Sequence, residues 1–133
     1  MRNPKEKLRA LLVDPFQHKI HEVNLDPGIQ NWYKLCDCDC FDHCYLGTFA
    51  GARHDAFVDD EGLLKEPTYP LWHWHNYPNP LPGYGLITAC DDLGVTIPAR
   101  MTVEFVLEHI SWELWEARLN AADYFDQLSR IYL

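Results

Sequence analysis

The sequence predicts an α+β domain: a twisted antiparallel sheet of about five to seven strands built from hairpins, with one short helix and a long C-terminal helix. Three observations carry that expectation. Asp59-Asp60-Glu61-Gly62 and Asp91-Asp92-Leu93-Gly94 each set an Asp-Asp-x-Gly phrase between apolar flanks. This is the chemistry of a tight hairpin turn, because Asp bonds its own backbone and Gly accepts the positive φ. Residues 19–25 alternate, with Ile20, Glu22 and Asn24 opposing His21, Val23 and Leu25, as a half-buried strand does. From Thr102 onward, Val103, Leu107, Ile110, Leu114, Ala117, Ala121, Phe125, Leu128 and Tyr132 recur at helical spacing.

In chain order, Arg9-Ala10-Leu11-Leu12-Val13-Asp14 reads as a first strand, and Asp14-Pro15 opens a turn. The alternating strand follows. Asp26-Pro27 then places an N-cap before a proline at the first helical position, predicting a short helix through Ile29, Trp32, Tyr33 and Leu35. Residues 41–46 form a third strand and 56–58 a fourth, and the Asp-Asp-Glu-Gly turn leads to a fifth at Leu63-Leu64. Residues 66–84 hold Pro67, Pro70, Pro78, Pro80 and Pro82, which argues for a loop rather than a helix or a central strand. Residues 85–90 and 95–98 make the last hairpin, and Thr102 caps the long helix. Unbroken over 102–131, that helix would measure roughly 45 Å, more than the width of a globule this size. It must bend near Asn120 or pack against something else. Its second apolar stripe, Phe105, Trp112, Trp115, Leu119 and Ala122, predicts a homo-oligomer contact.

A chain of 133 residues with 47% apolar side chains suits a single domain, 1–133, with its own core. No run approaches the roughly 20 apolar residues that span a bilayer. Residues 1–9 are basic and polar without an apolar signal core, so the cytoplasm is the expected location. Net charge is −9, a balance that argues against binding nucleic-acid phosphates directly and is compatible with nucleic-acid mimicry or plain solubility. Five cysteines without an export signal read as reduced thiols rather than a disulfide framework.

Cys36, Cys38, Cys40, His43 and Cys44 are the densest set of candidate metal ligands. Zinc takes four thiolate or imidazole ligands, but structural sites pair two separated knuckles, and this chain has one cluster. In a strand, Cys40 and Cys44 share one face and His43 the other. The expectation is therefore no cofactor, with zinc the alternative. His73 and His75 flank Trp74 and would share a face if extended, another arrangement that ligates transition metals. Residues 72–84 are richer as a binding surface. Trp72, Trp74, Tyr77 and Tyr84 offer faces that stack on bases, Asn76 and Asn79 offer amides for a base edge, and Arg53 and His54 offer a cation and a donor for phosphate. The competing reading is a Pro-rich flap whose aromatics pack the core. No nucleophile elbow, phosphate loop or His-Glu-x-x-His is present, so no catalytic residue is assigned. Asp59, Asp60, Asp91 and Asp92 suit a cation, yet hairpin turns already account for them.

Ala-Leu-Leu-Val-Asp at 10–14, residues 35–39 and 57–64, Asn79-Pro80-Leu81, residues 83–94 and Thr102-Val103-Glu104 fall in an order that resembles domain of unknown function 3846. The likeness covers roughly residues 9–112, leaving 113–133 as a helical extension. Members occur mostly on phages and mobile elements near counter-defence genes, so the resemblance implies a small protein acting in a host cytoplasm. Together with the aromatic loop it leads to the expectation of a non-enzymatic counter-defence protein that sequesters a small ligand, a nucleotide immune signal. The alternatives are an acidic inhibitor that binds a host defence protein and, third, a hydrolase of the same signal.

Overall fold

The computed structural model describes residues 7–26, 29–36, 38, 41–61 and 70–112. Strands β1 (Leu8–Asp14) and β2 (Lys19–Leu25) pair antiparallel from Leu8↔Leu25 to Asp14↔Lys19. Asp14 shapes their turn. Its Oδ1 accepts from the Phe16 and Gln17 amides at 3.1 Å each, and its Oδ2 lies 3.1 Å from His21 Nε2. Helix α1 (Ile29–Cys36) precedes a second hairpin of β3 (Phe41–Phe49) and β4 (Ala52–Asp59). There Ala50 and Gly51 turn the chain with φ of 51° and 77°, both positive, as a two-residue turn matched to strand twist requires. Next come β5 (Leu71–Trp74), β6 (Leu81–Pro82), β7 (Gly85–Cys90) and β8 (Thr96–Ile97), then helix α2 (Val103–His109) and β9 (Ile110–Trp112).

The main sheet runs β2-β1-β7-β4-β3, with β8 pairing β7, and a smaller sheet runs β6-β5-β9. Alternation along each strand gives the main sheet two apolar faces. One carries Leu8, Ala10, Leu12, Leu25 and Leu86 and is covered by Trp32, Tyr33, Leu35 and Cys36 of α1. The other carries Leu11, Val13, Cys44, Leu46, Ala56, Val58 and Ile87 and is covered by the small sheet and by Val106 of α2. The small sheet is fastened through two indoles, Trp72 and Trp74, 0% and 1% exposed. Trp72 Nε1 donates to Gly83 O at 3.0 Å and Trp74 Nε1 to Leu46 O at 2.9 Å. A register shift between Tyr45 and Gly47 places Leu46 at a bulge. Bulged backbone falls out of the regular ladder, and the Leu46 carbonyl serves the indole.

The α+β expectation with a long C-terminal helix does not hold over the described residues, which form mostly antiparallel sheet with two short helices. Thr102 does cap α2, its hydroxyl accepting from Phe105 N at 3.0 Å, but the helix stops at His109 and Ile110 is extended at φ −113°, ψ 146°. Ile110, Ser111 and Trp112 pair instead with Trp74, His73 and Trp72. The apolar residues at 110 and 112 fit a helix stripe and a strand face equally, and β-branched and aromatic side chains favour the ladder once a partner strand is at hand. Of the stripe expected to meet a second copy, Phe105 and Trp112 pack against the core; the remainder of that stripe, the extension 113–133 and the strand expected at Leu63-Leu64 lie outside the described residues. The Pro-rich segment also differs from expectation. Leu-Trp-His-Trp at 71–74 is proline-free and becomes the centre of the small sheet, while Pro82 sits on its edge strand, where a missing donor is tolerated.

Two substitutions test this packing. A Cβ at Gly85 would clash with the Trp72 ring, and that ring is fully buried, so Gly85→Ala should cost about 1–3 kcal/mol, read as a lower urea midpoint with a shifted tryptophan emission. Ala50 bears a positive φ that costs an alanine roughly 1–2 kcal/mol, only partly offset by the greater unfolded-state freedom of glycine, about 0.4–1 kcal/mol. Ala50→Gly should therefore raise the urea midpoint at unchanged slope.

Candidate functional site

The β3–β4 hairpin and the turn linking β5 to β6 leave a cleft of about 260 Å³ between them. Strand alternation sets Asp42 and Cys44 on its wall beside Val58, the end of β4 contributes Asp59 and Asp60, and the Pro-rich turn supplies Tyr77, Asn79 and residues 80–82. The turn is held by Tyr77 N donating to Trp74 O at 2.9 Å and Gly83 N donating to Pro70 O at 2.9 Å. Asp59 Oδ1 accepts from the Glu61 amide at 3.0 Å, so the turn that begins after β4 fixes one wall. Three carboxylates line the cleft, and no Lys, Arg or His does among the described residues. Its volume lies below the roughly 300–1,000 Å³ of drug-sized ligand pockets. It is the size of one side chain or a small polar group.

Cys44 and Tyr77 are hydrogen-bonded across the cleft floor. Burial raises the Cys44 thiol, opposed by the Tyr77 hydrogen bond and reinforced by Asp42 and Asp55. The same hydrogen bond to Cys44, then the charge on that sulfur, burial and Asp42, push the Tyr77 phenol up to about 12. Both groups stay protonated near neutral pH, so neither offers an anionic nucleophile.

The residues expected to bind a nucleotide are dispersed. Trp72 and Trp74 present no free face, as their rings fill the core. Trp→Ala at either position would be a core truncation costing about 3–5 kcal/mol, unrelated to stacking. Arg53 is exposed on β4, its Nη2 3.1 Å from Asp55 Oδ1 and its guanidinium 4.7 Å from the centre of the Tyr45 ring. His54 points the opposite way and is fully buried. His73 is half-buried within β5, His75 and Asn76 are exposed just beyond it, and Tyr84 packs its ring 5.0 Å from Phe16. Of the expected set, only Tyr77 and Asn79 line the cleft. Asp42 was not singled out by the sequence; its signal is the period of two that places it beside Cys44.

The cysteine cluster is divided by the sheet. Cys36 and Cys38 are buried on the α1 side and Cys44 on the other, while His43 is exposed and lies 6.1 Å from the Phe57 ring. Burial, then Cys38 and Asp59, raise Cys36 to about 12. Cys40 lies outside the described residues. Among the described residues no group of three or more His, Cys, Asp or Glu is placed to hold a metal ion.

No family model matches the chain, and no curated protein or solved structure matches it either. The likeness to domain of unknown function 3846 rests on its motifs alone.

His54 acts as a fastener. Its Nδ1 lies 3.0 Å from Ala52 O, and its Nε2 accepts from the Arg100 and Met101 amides at 2.9 and 3.2 Å. These two amides require a bare Nε2, hence a neutral ring. Burial lowers its pKa below the ordinary 6.5, opposed by the Ala52 carbonyl. Below that value the unfolded chain binds the proton more readily than the folded one, so stability falls with pH. The contribution is complete above about pH 6.5 and is lost progressively below it. Urea midpoints measured from pH 7.5 down to 5 should drop for the native chain, whereas His54→Gln should start lower and show a flatter slope.

Proposed function

We propose that this chain is a non-enzymatic binding protein, an acidic inhibitor whose cleft receives a Lys or Arg side chain from a protein partner. The observation that carries this reading is the cleft itself: three carboxylates, no cation among the described residues and a volume suited to one side chain. Cationic side chains complement such a wall, and at physiological salt the field reaches about 8 Å to steer the encounter. The raised Cys44 thiol and Tyr77 phenol offer no anionic nucleophile to the cleft. The motif likeness to phage and mobile-element proteins supports a counter-defence role in a host cytoplasm. No helix among the described residues is long and apolar enough to cross a membrane.

Nucleotide sequestration is the second reading, favoured by one observation: an exposed arginine, Arg53, stacked on the half-exposed Tyr45. It would place a phosphate and a base on the open sheet face rather than beside residues 72–84. Asp55 competes for the same guanidinium.

Titration with short peptides of matched length, bearing Arg and Lys or their neutral analogues, separates the two, with linear and cyclic nucleotides run in parallel by native mass spectrometry. Cationic peptides should bind, more weakly as salt rises, and Asp42→Asn combined with Asp60→Asn should reduce affinity by about tenfold, given up to about 1 kcal/mol for each exposed pair. A retained intact nucleotide with indifference to cationic peptides would overturn the inhibitor reading in favour of sequestration.

A further inference from the structure

His73 lies within β5, and His75, just beyond its end, has an aromatic neighbour from another element. Beyond the end of β5 its ring centre lies 4.5 Å from that of His109, the last residue of α2, with the planes at 56°. The backbones are joined as well, His75 N donating to His109 O at 3.0 Å. His109 is held on three sides. Its Nδ1 lies 2.6 Å from Phe105 O, and its ring stacks on Phe105 at 4.0 Å and on Trp74 at 5.8 Å. A ring nitrogen facing a carbonyl carries the proton, so Nε2 of neutral His109 has the lone pair.

We propose that His75 and His109 form a two-imidazole chelate for a late first-row transition ion. Ligating histidines characteristically donate their other N–H to a carbonyl, which fixes the tautomer and orients the ring, and His109 has that arrangement through Phe105. Metal–imidazole bonds of about 2.0–2.1 Å need the two rings to be close neighbours, which the shared backbone hydrogen bond ensures. His75 is exposed, so the ion enters without opening the core. Two nitrogens leave the remaining positions to water, which makes this an exchangeable site rather than a closed structural zinc. Affinity follows the order of divalent ions that rises through nickel to copper. The bound ion ties the end of β5 to the point where α2 gives way to β9.

Nickel is the probe, because it does not oxidise thiols as copper does. Calorimetric titration of the full chain with Ni²⁺ at pH 7.5 should give one ion per chain. His75→Gln and His109→Gln should each lower affinity by about tenfold or more, at least the cost of disturbing an outer partner of a ligand, while His73→Gln leaves it unchanged. Saturating Ni²⁺ should raise the Tm of the native chain and of His73→Gln but not of the other two. Paramagnetic broadening confined first to the His75 and His109 ring protons in the unaltered chain gives a reading independent of any variant. Absence of stoichiometric binding, affinity that ignores both substitutions, or broadening centred on other histidines would each overturn the site.

Discussion

The close approach of Trp72 to Gly85 is the constraint on which the rest depends. β7 is the middle of the main sheet, paired with β1 and β4, and only a residue without a side chain lets the Trp72 indole come this close to its first position. That contact sets how near the small sheet can come. Trp74, two residues on and therefore on the same face of β5, then reaches the bulge carbonyl at Leu46. Two buried indoles with both N–H groups satisfied supply packing and direction together, since an unpaired N–H in the same place would cost about 1–3 kcal/mol. The cleft exists because these anchors fix the turn that follows them: Tyr77 is bonded back to Trp74, and its hydroxyl meets Cys44 on the main sheet.

The segment before α2 is fastened by a separate polar system. Arg9 donates to the carbonyls of Ala99 and Met101, Ala99 N donates to Arg9 O, and His54 accepts the next two amides. Backbone without secondary structure is thus paired through a strand arginine and a core histidine, as buried peptide groups require. Arg100 leaves this run to bond Ala50 O at the hairpin tip, which helps hold a turn that alanine enters under strain. His54 therefore reads as a phosphate donor in the sequence and works as a spacer-setting acceptor in the fold.

Local chemistry was legible and partnership was not. Residues 19–25, read from their alternation, and 85–90, read as one arm of a hairpin, appear as strands with the expected bounds, Thr102 caps a helix, and Asp91 accepts from the Leu93 and Val95 amides as an Asp-led turn should. The short helix also forms. These features depend on a few neighbouring residues. By contrast, Ile110 and Trp112 satisfy two periods at once, and the choice between them is made by β5, about 40 residues earlier in the chain. The Trp-rich segment failed for the same reason: five prolines describe its flanks, while Leu71–Trp74 is decided by what it pairs with. Aromatic density marked this stretch correctly as important, yet density alone does not distinguish a face offered to a ligand from one spent on the core.

The cleft's charge follows from where the arginines are committed. Arg9 serves Glu22 and two carbonyls, Arg53 serves Asp55, and Arg100 serves Ala50 O. None of the three lines the cleft, whose acids lie near the start of β3, at the end of β4 and in the turn after it. Asp59 shows this best, since it accepts the Glu61 amide that shapes the turn and also borders the cleft. A carboxylate placed by turn chemistry comes to border the cleft because of where the turn lies. The small sheet then lays an uncharged wall of Tyr77, Asn79 and prolines opposite it. The result is a recess in which one side is anionic by construction and the other supplies shape, so that a single cation is attracted by the first and sized by the second.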